Sequence, residues 1–126
     1  MKREEVARRM RESIIDQDKE LTYSTYNVLV QSLYRFKDEI GLKGNYEELS
    51  LRHQGGEVIF QFKENSLALW FDQEENKIYI KKRTSENEKI LDKITADNGK
   101  LICNDGEFKI EEIDEYLSRC FAKLLK

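Results

Sequence analysis

The chain has 126 residues, a length that suits one domain with one hydrophobic core. Hydrophobic residues make up 39% of it and charged residues 37%, a polar but foldable balance that excludes an intrinsically disordered chain. The formal net charge of −3 argues against nucleic acid as a partner, because nucleic-acid-binding domains are usually strongly basic.

The sequence also indicates a compartment. The first ten residues, MKREEVARRM, contain no apolar run of the kind that a secretory signal needs. No stretch approaches the roughly 20 apolar residues of a membrane span. Cys103 and Cys120 fit free thiols in a reducing environment. We therefore expect a cytoplasmic protein without a membrane partner, and its Lys, Glu, Ile and Asn content without proline is typical of low-GC bacteria and their phages.

Residues 1–41 are predicted to form two helices, and the first of them runs from Lys2 to Lys19. Its apolar stripe recurs every four residues, at Val6, Met10 and Ile14. Its basic residues, the candidate nucleic-acid contacts of an alternative function, are Lys2, Arg3, Arg8, Arg9 and Arg11. Charge pairs such as Glu4–Arg8 and Glu5–Arg9 neutralise part of this charge, so an ordinary solvated helix face is the preferred interpretation.

The second predicted helix begins near Thr22 or Ser24, residue types that favour an N-cap, and ends at Ile40. Gly41 suits the positive φ of a helix C-cap. Its apolar stripe comprises Leu29, Leu33, Phe36 and Ile40, with Tyr26 and Val30 beside it. The alternative of one long bent helix, in place of two, stays open at this point.

Residues 46–104 are predicted to form an antiparallel sheet of about five strands. Its centre is a three-stranded meander from Glu57 to Lys82, in which apolar and polar residues alternate. Tight turns at Glu64-Asn65 and Glu74-Glu75 would place Phe60 opposite Leu69, and Leu69 opposite Ile80. Both registers place apolar side chains opposite one another on one face.

Two hairpins flank this meander in the prediction. A turn at Gln54-Gly55 would pair Leu51 with Val58. Asn98-Gly99 suits a type I′ turn and places Ala96 opposite Leu101.

The meander registers have a consequence for the opposite face of the sheet. They place Ile59 opposite Trp70, and Trp70 opposite Tyr79, so that an apolar row crosses three strands. The second helix could cover this row, which is the slightly preferred interpretation. An uncovered row would be a contact surface for another protein or for a second copy in a homodimer.

Residues 108–126 contain the third predicted helix, from Ile110 to Leu125. Acidic residues at its start and lysines at its end complement the helix dipole. Its apolar stripe comprises Ile110, Ile113, Leu117, Cys120, Phe121 and Leu124. We expect this helix to cover the sheet face that carries Phe60, which completes a single-domain α+β fold.

No motif with a known chemistry is present. The sequence lacks glycine-rich nucleotide-binding loops, HExxH, CxxC and GxSxG, and its two cysteines and single histidine have no metal-ligand spacing. We therefore predict no catalytic residue, no cofactor and no metal. The expected function is that of a non-enzymatic protein-interaction or regulatory protein. The alternative is a nucleic-acid-associated protein that uses the basic N-terminal helix.

Overall fold

A computed structural model describes all residues from Met1 to Lys126. It confirms an α+β fold with an antiparallel sheet, but it has one long N-terminal helix and seven strands in place of two helices and about five strands. The helices are α1 (Arg3–Ile40) and α2 (Glu112–Phe121), and a 3-10 turn (Ala122–Leu125) follows α2. The strands are β1 (Leu49–Gln54), β2 (Glu57–Phe62), β3 (Asn65–Asp72), β4 (Lys77–Arg83), β5 (Glu88–Asp97), β6 (Lys100–Cys103) and β7 (Gly106–Glu107).

The 38 residues of α1 make it about 57 Å long at about 1.5 Å per residue. The predicted break at Asp16 to Glu20 is wrong because this polar stretch contains neither glycine nor proline, and its residues continue the helix at little cost. The predicted C-cap is confirmed: Gly41 has a φ of 75°, and its N–H donates to the carbonyl of Asp38 at 3.0 Å. Neither helix combines the length and the apolar character that a membrane crossing requires.

The strands follow one another in the sheet in chain order, from β1 to β7. The predicted pairing of β3 with β4 is confirmed, with Leu69 opposite Ile80. The predicted pairing of Ala96 with Leu101 is also confirmed. Asn98 and Gly99 have φ values of 52° and 75°, as a type I′ turn requires.

Two other predicted registers are wrong by two residues. Leu51 lies opposite Phe60 because the first turn falls at Gly55-Gly56, where both residues have positive φ. Phe60 in turn lies opposite Leu67 because the next turn uses Lys63 at a φ of 53°, a conformation that lysine rarely adopts. A slip of two residues keeps every side chain on its predicted face, so the core composition is unaffected.

The core lies between one face of the sheet and both helices. The ring of Phe60 contacts Phe36 of α1 and Phe121 of α2, with centroid distances of 5.5 and 5.6 Å. Leu29 and Leu33 of α1 are fully buried against the same face. Each such residue contributes about 1.5–3 kcal/mol through its burial.

A buried hydrogen-bond network fastens α2 to the sheet. The hydroxyl of Tyr116 donates to Asp92 at 2.5 Å, and the same carboxylate accepts the N–H groups of Lys93 and Asn104. Burial, together with the bond to Asp92, raises the pKa of Tyr116. Burial also raises the pKa of Cys120 to about 11, which keeps this thiol protonated at neutral pH. The sequence pattern identified Cys120 as a core residue but missed Tyr116.

The burial of Leu29 leads to a stability prediction. Leu29→Ala should lower the free energy of unfolding by about 2–5 kcal/mol, because it removes apolar contacts and leaves a cavity. Val28→Ala is the matched control: Val28 is the preceding residue of the same helix and is half-exposed, so its truncation should change stability by no more than about 0.5 kcal/mol. Denaturant unfolding followed by far-UV circular dichroism measures the free energy of unfolding of both variants. Equal losses of stability would contradict the assignment of Leu29, and not Val28, to the buried side of α1.

Candidate functional site

The predicted apolar row lies on the sheet face that neither helix covers, called the open face below. Trp70 and Tyr79 are cross-strand neighbours there, and their rings stack at a centroid distance of 5.2 Å. Ile59 is not opposite Trp70, as predicted, but opposite Ala68, and it is only 5% exposed. The structure thus places Trp70 and Tyr79 side by side, as predicted, whereas Ile59, the third member of the predicted row, is buried.

The preferred interpretation that the second helix covers this row is wrong. The half of α1 that was predicted as this helix packs on the core face, through Phe36 against Phe60 and through Tyr26 against Phe71. α2 packs on the same face through Phe121. Trp70 and Tyr79 are therefore only partly buried, and a role for them in partner contact stays a prediction.

Charged side chains surround the aromatic pair on the open face. Lys81 lies over the ring of Trp70 at 5.0 Å, and Lys93 lies over that of Tyr79 at 5.8 Å. The hydroxyl of Tyr79 donates to Glu75 at 2.6 Å, and this hydrogen bond is the main cause that raises the pKa of Tyr79 to about 12. A lysine of the chain itself thus lies over each of the two rings, and Glu75 accepts the hydrogen bond of the Tyr79 hydroxyl.

An ion-pair cluster extends the same face. Glu57 accepts hydrogen bonds from Arg83 at 2.6 Å and from Lys81 at 3.3 Å. Burial alone would raise the pKa of Glu57, but the hydrogen bonds and positive charges of these two residues outweigh it and lower the pKa. Lys81 and Arg83 are therefore both paired with carboxylates of the chain itself, Glu57 and Glu88.

The basic residues at the N-terminus are all exposed. Arg9 pairs with Glu5 at 3.0 Å, as predicted, whereas Arg8 pairs with Glu12 at 3.3 Å and not with Glu4. The other cations of the candidate set, without an ion pair, are Lys2, Arg3 and Arg11. Their use in nucleic-acid binding stays a prediction.

The largest concave feature is an apolar groove that the sequence analysis missed. It opens between the C-terminal end of α1, the outer strands β1 and β2, and the end of α2, and it has a volume of about 570 Å³. Its walls comprise Phe36, Ile40, Leu42, Tyr46, Glu47, Glu48, Leu49, Phe60, Phe62, Leu117, Ser118, Phe121, Ala122 and Leu125. Eleven of these 14 residues are hydrophobic, so the groove can hold apolar groups rather than position a polar substrate.

Local structure explains how this groove forms. α1 must end at Gly41, and the following loop carries Leu42 and Tyr46 past the edge of the sheet. On the other side, the 3-10 turn after α2 brings Leu125 to the rim. Leu42 is 54% exposed and Leu125 is 69% exposed, so apolar surface remains accessible at both rims. The carboxylates of Glu47 and Glu48 are exposed beside it.

A weak signal in the sequence pointed to this groove. Leu42 and Tyr46 flank the Gly44-Asn45 turn. Neither residue belongs to the apolar stripe of a helix or to a strand with alternating apolar and polar residues. Large apolar residues in such a connection indicate a surface that packs on something else. No group of three or more His, Cys, Asp or Glu side chains lies close enough together to hold a metal ion.

Comparisons with protein-family models, with curated proteins and with solved structures gave no match to this chain.

The stacked pair on the open face leads to a second stability prediction. Trp70→Ala should lower the free energy of unfolding by about 1–2 kcal/mol, because it removes the stack on Tyr79 and the contact with Lys81 but no fully buried ring. Tyr79→Phe keeps the stack and loses only the hydroxyl, so its effect should stay below about 1 kcal/mol. Unfolding should be followed by far-UV circular dichroism instead of tryptophan fluorescence, because Trp70 is the only tryptophan and the variant lacks it. A loss above about 3 kcal/mol for Trp70→Ala would indicate a core residue instead.

Proposed function

We propose that this protein is a non-enzymatic interaction module that binds an amphipathic helical segment of another protein in the apolar groove. The observation that carries the proposal is the groove itself, an open apolar cleft between two helices and a sheet edge. Clefts of this kind accept the apolar side of a helix, whose anchor residues recur at i, i+3 or i+4, and i+7.

The composition of the walls supports a helical ligand. Aromatic rings from three separate elements, Phe36, Phe62 and Phe121, offer apolar contacts on different sides of the cleft. A volume of about 570 Å³ accommodates several side chains, and Leu42 and Leu125 leave apolar area accessible at the rims. Burial of this area against a partner would provide the main driving force for binding.

The charges beside the groove favour one kind of partner. Glu47 and Glu48 present exposed carboxylates at its edge, so a segment with lysine or arginine next to its apolar stripe would be electrostatically complementary. Such rim charges act mainly on the rate of association and on specificity, while the apolar contacts determine the affinity.

The groove is a better supported binding site than the Trp70–Tyr79 pair. The rings of that pair already carry lysine side chains, and Ile59 is buried. The functional class is the one expected from the sequence, but the site differs. Two free, buried cysteines, Cys103 and Cys120, support the expectation that the module works in the reducing cytoplasm.

A model peptide tests this proposal. We use a fluorescein-labelled amphipathic peptide of about fifteen leucines and lysines as the ligand. Its fluorescence anisotropy should rise and then saturate as the protein is added. Leu42→Glu combined with Leu125→Glu should raise the Kd about tenfold or more, because each change places a carboxylate on the apolar rim. Both side chains are more than half exposed, so neither change removes a core residue.

Two controls make the test specific. Ile90→Glu alters a half-exposed isoleucine on the open face and should leave the Kd unchanged. Glu47→Lys with Glu48→Lys should weaken binding of the basic peptide at low salt, with a difference that shrinks as salt rises. Anisotropy that does not saturate, or a Kd that the rim substitutions leave unchanged, would refute the groove as the binding site.

A further inference from the structure

The loop that joins α1 to β1, residues 41–48, is held by few contacts. Every residue of this loop is exposed. The backbone of residues 42–45 forms no hydrogen bond with the rest of the chain, and the carbonyl of Tyr46 accepts only a long one, from the N–H of Leu49 at 3.4 Å. A segment with so little burial and so few hydrogen bonds changes its conformation at a low cost in free energy.

Two glycines give this loop its points of rotation. Gly41 has a φ of 75° and Gly44 has a φ of 93°, values that other residue types rarely adopt. Glycine occupies positive and negative φ with similar ease, so the backbone can rotate at both positions. No neighbouring atom blocks the second position, because a Cβ added at Gly44 would meet nothing within 4 Å. Leu42 and Lys43 lie between the two glycines and would move with such a rotation.

Free volume lies on both sides of the loop. The groove is on one side of it. On the other side is a second cavity of about 260 Å³, whose walls comprise Lys37, Leu42, Gly44, Asn45, Tyr46, Leu49, Ser50 and Leu51. Leu42, Tyr46 and Leu49 line both the groove and the second cavity. The loop is thus a wall between two spaces, and its side chains can shift without displacing close-packed neighbours.

We propose that residues 42–46 form a gate, which moves from the rim of the groove into the second cavity when a partner inserts a large side chain. Leu42 is 54% exposed at the rim, and in the second cavity it would pack on Leu49 and Leu51, which are half-buried. Burial of this apolar side chain offsets the cost of moving the loop. Leu42 therefore determines the size of the anchor residue that the groove accepts. The inference rests on the groove being the binding site, as proposed above.

A gate of this kind selects the partner by its anchor residue. With the gate retracted, the volume of the second cavity joins that of the groove, and an aromatic anchor can pack beside the rings of Phe36 and Phe62. A fixed wall would instead discriminate between anchors by their size. The partner that fits this site is therefore a basic amphipathic helix with an aromatic residue in its apolar stripe.

Two leucine–lysine peptides that differ only in a central leucine or tryptophan anchor test the gate. The wild-type protein should bind both with Kd values within about threefold of each other. Asn45→Trp places an indole ring in the second cavity, so the gate cannot retract. This variant should bind the leucine peptide normally, whereas its Kd for the tryptophan peptide should rise about tenfold or more. Asn27→Trp, at an exposed asparagine of α1 that lines neither space, should change neither Kd.

A measurement on the free protein separates the gate from the proposed function. Methyl 13C relaxation dispersion should show microsecond-to-millisecond exchange at Leu42 in the wild type and in Asn27→Trp, and no exchange in Asn45→Trp. Unchanged far-UV circular dichroism verifies that both variants are folded. Absence of exchange at Leu42 in the wild type, or equal binding of both peptides by Asn45→Trp, would overturn the gate. Exchange at Leu42 without binding of either peptide would refute the proposed function while supporting the movement of the gate.

Discussion

The ring of Phe60 is the contact on which the placement of both helices depends. It lies on β2, and Phe36 of α1 and Phe121 of α2 both pack against it, at 5.5 and 5.6 Å. The two helices therefore share one face of the sheet instead of taking one face each. All three rings also line the groove, so the contact that completes the core forms the floor of the candidate binding site.

The shared face leaves the other side of the sheet without a helix. Polar and aromatic side chains of the strands themselves stabilise that side, through the ion pairs of Glu57 and the stack of Trp70 on Tyr79. The ammonium groups of Lys81 and Lys93 lie over the rings of Trp70 and Tyr79, and that of Lys81 also pairs with Glu57. Many polar groups of that side thus pair with one another, whereas the rims of the groove keep exposed apolar area at Leu42 and Leu125.

Periodicity in the sequence predicted the features that depend on neighbouring residues. The buried stripes through Leu29 and Leu33 of α1 and through Ile113 and Cys120 of α2 follow from local periodicity, and so does the Asn98-Gly99 hairpin. The stripe predicted for the first helix is not buried, because Met10 and Ile14 are more than half exposed. Two registers were wrong because the turns depend on where the chain adopts positive φ, and Lys63 gives no sign of doing so. Leu42 and Tyr46 signal an apolar surface in the loop after α1, but the groove itself could not be predicted, because its walls come from distant parts of the chain, such as Leu42 and Leu125, that only the tertiary fold brings together.

Nuclear magnetic resonance can show whether the groove between the two helix ends is the binding site. A basic amphipathic helix would be titrated into uniformly 15N-labelled protein and the amide shifts followed residue by residue. Binding in the groove should shift amide signals that cluster in residues 36–51 and 117–126, where most of the groove walls lie. Shifts centred on Trp70 and Tyr79 instead, or no shifts at all, would contradict it.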